Sequence, residues 1–319
     1  MILIDRDEVY EKLTMPRCIS LMKEAFAGLA RGVNTQIVRT GMRLDNGALA
    51  FMPCSLGERG TFGAKIISVY PGNSQDGYPS HQGEVLLFES AHGTPVALAD
   101  ACAITEIRTA AASAAATDLL ARPDAHALAM LGSGAQAVTH LEAMLAVRPV
   151  CDVYVWSPTP SHAADYAARM AARYPRLALH LCASPREAAQ HADILCTVCR
   201  SRDPFLTRDM VQPGAHINAV GTCSPVSREV SSDLVAAARL YVDQVEACRA
   251  ESGEYLIPLK EGLITESHIQ GSIGDVLTGK ARGRESIQEI TLFDSLGLAM
   301  EDVICADDLY REKLRMQAT

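Results

Sequence analysis

The sequence lacks the features that mark nucleic-acid-binding, membrane and secreted proteins. Its 29 Lys and Arg are outnumbered by 38 Asp and Glu, giving a formal net charge of −9, and no basic run is present, so nucleic acid is not an expected partner. No apolar stretch is as long as a membrane span. The N-terminus has no basic segment followed by an apolar one, so we expect no signal peptide and no membrane partner.

The chain does contain cysteine, but not in the pattern of a disulfide framework. Its ten cysteines are scattered and several lie in apolar runs, which predicts reduced, buried thiols and a cytoplasmic protein. Cys196 and Cys199 form a CxxC pair inside an apparent strand. Residues three apart on a strand face opposite sides, and no second pair or His pair accompanies them, so we predict no metal site.

The middle of the chain alternates short apolar runs with helical patterns, which predicts an α/β fold with a doubly wound parallel (Rossmann) sheet. The 319 residues suggest about two domains. The predicted strands are residues 128–131, 151–156, 177–182, 193–198 and 215–220. The predicted helices between them are residues 135–147, 161–174 and 185–191.

The first hundred residues have a different pattern. A helix over about 15–31 is followed by short segments separated by turn residues, which is typical of antiparallel hairpins. An alanine-rich helix, 105–121, is expected to connect the two parts, and a helix from about 291 is expected to return to the first. The predicted domains are therefore 1–114 with 291–319, an α+β substrate-binding and dimerisation domain, and 115–290, the dinucleotide-binding domain.

The segment 127–137 is the most informative part of the sequence. An apolar run ends in Gly132-x-Gly134-x-x-Ala137 and a helical pattern follows. Gly132 would allow a tight turn, Gly134 would let a pyrophosphate approach the backbone, and Ala137 would let helix and strand pack closely. The helix N-terminus would supply N–H groups to the phosphates. The motif predicts a bound dinucleotide.

The end of the second predicted strand bears on the choice of cofactor. An NAD site usually has Asp or Glu there to bind the ribose hydroxyls, but this chain has Ser157. Hydroxyls on Ser157, Thr159 and Ser161 could bind a 2′-phosphate, although position 158 holds proline and no arginine. The alternative is a simple capped turn. The sequence favours NADP(H) over NAD(H).

Three cations of the first domain occupy positions where a charge needs a partner. Lys65 lies in an apolar strand pattern, Arg108 lies near the start of the alanine-rich helix, and Arg39 precedes a hairpin. They could pair with a protein carboxylate such as Glu84 or Glu106, or converge on the carboxylate of a substrate, which guanidinium binds in bidentate fashion. Sequence spacing alone leaves both readings open.

Nearly the whole sequence resembles the ornithine cyclodeaminase/mu-crystallin family. The motifs that carry the resemblance are Phe51-Met52-Pro53, Gly63-Ala64-Lys65, Ile104–Ala111, Gly132–Gln136, His216–Gly221 and Ile290–Ala299. The resemblance implies a homodimer paired through β-structure in the first domain. It also implies that Arg39, Lys65 and Arg108 hold the carboxylate of a small-molecule imino or amino acid.

The resemblance further implies a set of dinucleotide contacts. The residues concerned are Ser80, Arg108, Thr109, Gly132, Ser133, Gly134, Ala135, Gln136, Val220, Gly221, Thr222 and Ser295. Ser157 and Thr159 join them on the argument given above for the 2′-phosphate.

Two positions depart from the cyclodeaminase pattern. Ala50 stands where those enzymes carry a glutamate for the distal amine, and Cys223 replaces an aspartate at the reacting amine. The favoured hypothesis is therefore an NAD(P)H-dependent ketimine reductase or amino-acid dehydrogenase. Its proton would come from Lys65, from a water held by Cys223 or Ser224, or from a pre-protonated substrate. The alternatives are an NAD-dependent cyclodeaminase and a non-catalytic NADPH-binding protein like mu-crystallin.

Overall fold

The computed structural model describes residues 1–318, apart from the side chains of residues 74 and 75. Its strands are β1 (Ile2–Ile4), β2 (Asn34–Gln36), β3 (Thr40–Leu44), β4 (Gly47–Leu56), β5 (Thr61–Val69), β6 (His81–Glu89), β7 (Pro95–Asp100), β8 (Ala127–Leu131), β9 (Asp152–Trp156), β10 (Ala178–Leu181), β11 (Ile194–Thr197), β12 (His216–Ala219), β13 (Ala238–Val242), β14 (Ile269–Ser272) and β15 (Ile290–Asp294).

The helices alternate with these strands in the second half of the chain. They are α1 (Arg6–Lys12), α2 (Met15–Arg31), α3 (Ala101–Leu120), α4 (Ala135–Val147), α5 (Pro160–Arg173), α6 (Pro185–Ala189), α7 (Ser232–Ala237), α8 (Val245–Glu251), α9 (Gly253–Lys260), α10 (Ile273–Leu277) and α11 (Ala299–Gln317). The chain divides into two compact units, residues 1–109 with 297–319 and residues 110–296.

The first unit is built on a mostly antiparallel sheet in the order β1-β7-β6-β5-β4-β2, with β3 paired to β4. Alternation along the strands gives the sheet two faces. The inner face carries buried residues such as Met52, Lys65 and Val85, which lie side by side in the register of β4, β5 and β6. Helices α2 and α11 belong to this unit, and α11 contacts β4, β5 and β6. The buried face of α2 has apolar residues at helical spacing, including Ile19, Met22 and Phe26.

The second unit is an eight-stranded sheet in the order β10-β9-β8-β11-β12-β15-β13-β14, in which every strand pairing is parallel. All residues of β8, β11, β12 and β15 are buried, as expected for strands covered on both faces. The carboxyl ends of these four neighbouring strands form one edge of the sheet, which is where open α/β sheets bind ligands.

The α/β fold with a Rossmann-type sheet is confirmed, and the structure also corrects two local predictions. The helix expected from about residue 291 is wrong at its start, because 290–294 form strand β15 and the helix begins only at Ala299. Gly297 separates them with a φ of +81°, which a helix cannot contain. The connecting helix begins at Ala101 and not at residue 105. No helix within residues 1–318 has the length and apolar character of a membrane span.

Candidate functional site

The three predicted cations of the first unit lie together at the start of helix α11. Lys65 comes from β5, Arg108 from α3 and Arg39 from the segment before β3. Lys65 and Arg108 are only 3% and 5% exposed, so both charges need partners inside the protein. Helix α11 provides them in its first turn, as Glu301 and Asp302.

The contacts within this cation cluster, defined as Arg39, Lys65, Arg108, Glu301 and Asp302, are short. Lys65 Nζ lies 3.0 Å from Asp302 Oδ1, which also accepts a hydrogen bond from Arg108 Nε at 3.2 Å. Arg108 Nη1 donates to Glu301 Oε2. Arg39 Nη2 donates to the carbonyl oxygen of Gly297, one residue before the N-cap of α11, at 3.0 Å. The cluster thus connects β5, α3, α11 and the two loops that contain Arg39 and Gly297.

Local backbone geometry places Arg108 against the turn before α11. A Cβ on Gly297 would lie 2.7 Å from Arg108 Nη1, so no side chain fits between the turn and the guanidinium. Glu301 also accepts a hydrogen bond from the backbone N–H of Leu298, which caps the helix and fixes the carboxylate that faces Arg108. Helix capping and cation binding are therefore performed by the same side chain.

Glu84 and Glu106, which the sequence offered as possible partners of these cations, have other neighbours. Glu106 accepts a hydrogen bond from the Tyr10 hydroxyl at 2.7 Å, and Glu84 lies opposite Asp100 in the register of β6 and β7. The true partners come from α11, nearly two hundred residues along the chain from Arg108.

Burial and ion pairing act on the two buried cations in opposite directions. Burial lowers the pKa of the Lys65 ammonium, although Asp302 opposes the change. Burial also disfavours charged Arg108, but the carboxylates of Asp302 and Glu301 outweigh it and raise the pKa of the guanidinium. The ammonium of Lys65 donates to the hydroxyl of Thr105 at 2.6 Å as well as to Asp302. Lys65 is thus the group in this cluster whose proton is easiest to remove.

In the second unit, the glycine motif forms the predicted turn from β8 into α4. Gly132 has a φ of +136° and lies against Val198, so that a Cβ would come within 2.7 Å of the valine side chain. Gly134 caps α4 and has open space where a Cβ would point, which leaves its backbone accessible. Ala135 and Gln136 begin the helix, and Ala137 is fully buried. This is the geometry that a pyrophosphate-binding turn requires.

Two buried polar atoms at the carboxyl ends of the central strands have no hydrogen-bond partner within the described residues. They are Oε1 of Gln136 after β8 and Oγ of Ser295 after β15. Buried polar atoms are normally paired. Their grouping at one strand edge fits a dinucleotide, whose amide and hydroxyl groups can supply the missing partners.

The end of strand β9 carries hydroxyl groups, as predicted, and no carboxylate. Ser157 is buried and its hydroxyl accepts a hydrogen bond from Ser133 of the glycine turn at 3.0 Å. Thr159 is the N-cap of α5, its side chain makes no capping hydrogen bond, and Ser161 is exposed beside it. The structure therefore brings Ser133 and Ser157 together, with Thr159 and Ser161 two and four residues beyond Ser157.

The segment after β12 holds five further predicted residues. Val220 donates its N–H to the carbonyl of Thr197, Gly221 follows, and Thr222 is buried with its hydroxyl 3.2 Å from Glu254 Oε2. Cys223 is exposed and Ser224 is partly exposed. Burial raises the pKa of Glu254 to about 7.

Ser80 and Thr109, predicted to contact the dinucleotide, belong to the first unit. The Ser80 hydroxyl lies 2.9 Å from Nδ1 of His81, and the Thr109 hydroxyl donates to the carbonyl of Thr105 one helical turn earlier. Their predicted role stays a prediction. No group of three or more His, Cys, Asp or Glu within residues 1–318 is arranged to hold a metal ion.

The sequence interpretation missed Glu301, Asp302 and Thr105. Glu301 and Asp302 are adjacent carboxylates inside the apolar run 296–304, and that is a usable signal, because two charges buried on one helix need cations elsewhere in the chain. Thr105 lies one turn before Arg108 on α3, but a lone threonine on an alanine-rich helix gives no comparable signal.

Comparison with known proteins places these features in context. The profile of the ornithine cyclodeaminase/mu-crystallin family matches residues 1–317. The ketimine reductase mu-crystallin of Mus musculus is 34% identical over 294 residues, covering 91% of this chain and 90% of its own.

Two solved structures have nearly the same fold as this chain. The Thermococcus litoralis Delta(1)-pyrroline-2-carboxylate reductase, in complex with NADH and L-proline, is 35% identical with a TM-score of 0.95, covering 99% and 98% of the two chains. An archaeal alanine dehydrogenase dimer with bound NAD is 29% identical with a TM-score of 0.94, covering 99% and 97%.

Proposed function

Because this chain belongs to the ornithine cyclodeaminase/mu-crystallin family, we propose that it is an NAD(P)H-dependent oxidoreductase acting on the C=N or CH–NH bond of an imino or amino acid. Its most direct reaction is the reduction of a ketimine of the pyrroline-2-carboxylate or piperideine-2-carboxylate type. The bound nicotinamide would supply the hydride that adds to the C=N carbon. The cation cluster is the observation that carries this proposal.

The cation cluster presents two guanidinium groups to a substrate carboxylate. Arg39 donates to the carbonyl oxygen of Gly297, and Arg108 pairs with Glu301 and Asp302. A guanidinium can bind a carboxylate through two parallel hydrogen bonds, so Arg39 and Arg108 suit this role. A substrate with a second cationic group would meet repulsion here.

The wall beside the cluster is uncharged. Ala50 and Met52 lie on the same face of β4, and Met52 is directly opposite Lys65 in the register of β4 and β5. Ala50 offers nothing to stabilise a distal ammonium, which an ornithine-type substrate would bring. A cyclic ketimine with an apolar ring fits this wall better, and cyclodeamination of a basic amino acid is the less favoured reaction.

The nitrogen of the C=N bond must carry a proton for hydride addition to be easy. An ammonium has three N–H groups, and Thr105 and Asp302 accept two from Lys65. Lys65, with a pKa lowered by burial, is therefore our first candidate for the proton source. A water held by Cys223 or Ser224, or a pre-protonated substrate, is the alternative.

The second unit would hold the cofactor through the glycine turn and the strand edge. Gly132–Gln136 would bind the pyrophosphate, and Val220, Gly221, Thr222 and Ser295 the nicotinamide half. We further propose that NADP(H) is preferred to NAD(H), because Ser157 and Thr159 present hydroxyls and no carboxylate repels a 2′-phosphate. In this proposal the first unit, residues 1–109 with 297–319, holds the substrate, and the second unit, residues 110–296, holds the cofactor.

The outer face of the first unit's sheet supports a homodimer. It carries exposed apolar residues, including Leu3, Met42, Phe51 and Ile66, with Phe51 and Ile66 directly opposite each other on β4 and β5. Such a face on a monomer is expected to be covered by a partner. We also propose a cytoplasmic location, because the ten cysteines form no disulfide in the described structure.

The decisive experiment incubates the purified protein with NADPH or NADH and each cyclic ketimine and follows cofactor absorbance. Consumption of cofactor with formation of the cyclic amino acid is the expected result. Ammonia release from ornithine without net cofactor consumption would instead identify a cyclodeaminase. Cofactor binding with neither signal would identify a binding protein.

A further inference from the structure

The side chain of Glu229 forms hydrogen bonds with two loops of the second unit. It is fully buried. Its Oε1 accepts hydrogen bonds from the backbone N–H groups of Cys199, at 2.8 Å, and Ser201, at 3.3 Å, in the loop after β11. Its Oε2 accepts one from the N–H of Gly221, at 3.1 Å, in the loop after β12. One carboxylate therefore fixes two separate loops.

Both loops have a backbone conformation fitted to this carboxylate. Arg200, between the two N–H groups that share Oε1, has a φ of +58° and is the one non-glycine residue with positive φ in the described part of the chain. Successive N–H groups around such a residue converge on an anion. On the other side, a Cβ at Gly221 would overlap the Glu229 carboxylate, so close approach requires glycine.

Glu229 is itself held in place through its own backbone. Its N–H donates to Oε1 of Glu254 at 2.7 Å. Its carbonyl oxygen accepts from the N–H groups of Phe205 and Leu206 at 3.0 and 3.1 Å. These backbone hydrogen bonds fix the position of Glu229, so its carboxylate can hold both loops in place.

The two loops follow β11 and β12, adjacent parallel strands of the sheet, at its ligand-binding edge. The loop after β12 begins with Val220, Gly221 and Thr222, to which the proposed function gives the nicotinamide half of the cofactor. Resting on that function, we propose that Glu229 is a positioning residue that fixes both loops for the nicotinamide half of NAD(P)H, while the adenosine half binds independently of it.

The test compares a whole cofactor with a fragment. Glu229→Gln keeps the size of the side chain, but an amide has one acceptor oxygen, so the N–H of one loop would face an NH₂ group. Dissociation constants are measured for NADPH and for ADP, which has the adenosine and pyrophosphate but no nicotinamide. We expect the NADPH constant to rise about tenfold or more and the ADP constant to change less than about twofold.

Glu89 provides a matched control in the first unit. Its carboxylate also accepts three backbone N–H groups, from Ala91, His92 and Thr94, but in an exposed hairpin turn. Glu89→Gln should leave both constants unchanged. If Glu229→Gln weakens both ligands equally, or neither, the proposal is overturned, because a role in folding alone does not distinguish the two halves of a cofactor.

Misfolding of the variant and absence of ketimine reduction are also informative outcomes. If Glu229→Gln does not fold by circular dichroism, Glu229→Asp, which is one methylene shorter and reaches only one loop, is measured in its place. If neither variant folds, Glu229 serves folding and the proposal fails. A wild-type protein that binds NADPH but reduces no ketimine refutes the proposed activity only, since the binding comparison still decides the role of Glu229.

Discussion

The cation cluster of the first unit and the strand edge of the second meet their electrostatic needs in different ways. In the cation cluster, Lys65 and Arg108 each have a carboxylate partner from α11. At the strand edge, Gln136 and Ser295 keep buried polar atoms without partners in the described structure, and in the cation cluster Asp302 Oδ2 does so too. The two buried cations are nevertheless paired, because an unpaired buried ion costs far more free energy than an unpaired hydroxyl or amide.

The comparison suggests how each region would recognise its ligand. The cation cluster would recognise a substrate carboxylate through the guanidinium groups of Arg39 and Arg108. The strand edge selects by hydrogen-bond positions that the protein leaves open. Substitutions in the first region should therefore change both stability and substrate binding. Substitutions of the unpartnered polar side chains in the second region should change cofactor binding with little change in stability.

The largest effect is expected from Arg108→Ala. The substitution removes the guanidinium that we propose binds the substrate carboxylate, and it leaves Glu301 and Asp302 buried with one cation fewer. Substrate KM should therefore rise roughly 100-fold and the free energy of unfolding should fall by about 3 kcal/mol. Steady-state kinetics and thermal melting measure the two effects.

Arg59→Ala is the matched control, because Arg59 also pairs with a carboxylate of α11, Asp307, but outside the cation cluster. It should lower stability without raising KM. An unchanged KM in Arg108→Ala would remove Arg108 from substrate binding.

The next largest effect separates the two glycines of the turn. Gly134→Ala adds a methyl group where the protein leaves open space, so stability should be retained while the NADPH dissociation constant rises about tenfold or more. Gly132→Ala forces a Cβ against Val198 at a φ of +136°, so it should also lower the melting temperature. Equal NADPH affinity in Gly134→Ala and the wild type would show that the phosphates bind elsewhere.

A smaller change is expected at the end of β9. Ser157→Asp places a carboxylate where we expect the 2′-phosphate, and should shift the ratio of kcat/KM values for NADPH and NADH toward NADH by about tenfold. Ser184→Asp introduces the same charge after the neighbouring strand β10, at the N-cap of α6, and should leave the ratio unchanged. The same ratio in both variants would contradict a role for Ser157 in cofactor choice.

The smallest effect concerns pH. Because burial raises the pKa of Glu254 to about 7, the folded state holds this proton more tightly than the unfolded state does. Its contribution to stability is complete below a pH of about 4.3 and is lost as the pH rises through about 7. Glu254→Gln should remove this contribution, so the difference between the two stability profiles should change across this pH range.

His140 and His216 act in the opposite direction. Burial lowers their pKa values to about 4 and about 3, so their contribution is lost as the pH falls below about 6.5. They are present in both proteins compared, so they cancel in the difference. Parallel profiles of wild type and Glu254→Gln would contradict the assignment.

The sequence predicted those secondary-structure elements whose hydrophobic periodicity is evident within a few neighbouring residues. The five predicted strands from β8 to β12 and the glycine turn formed as expected, because strand and helix periodicity act over a few residues. Strand β15 was misread as helix, since Leu292, Phe293 and Leu296 also fit helical spacing. The short elements α7 to α10, β13 and β14 gave no clear period, because glycine and proline interrupt that segment.

The sequence predicted the cationic residues of the candidate site but not the carboxylates that pair with them. Arg39, Lys65 and Arg108 were singled out because a charge in an apolar pattern demands a partner, but the identity of the partner depends on tertiary packing. Glu301 is separated from Arg108 by 193 residues, about three-fifths of the chain. Glu229, whose role depends on three backbone N–H groups from two loops, has no signal in its own neighbourhood.

The contact between Gly297 and Arg108 has a consequence for the sequences this fold can accept. In a pairwise mutational scan, the two positions should show positive epistasis, since a shorter residue at 108 removes the guanidinium that a Cβ at 297 would strike. The relief should be partial, because the positive φ of Gly297 still penalises any other residue. Residue 297 is therefore expected to change type only in lineages in which residue 108 is no longer arginine.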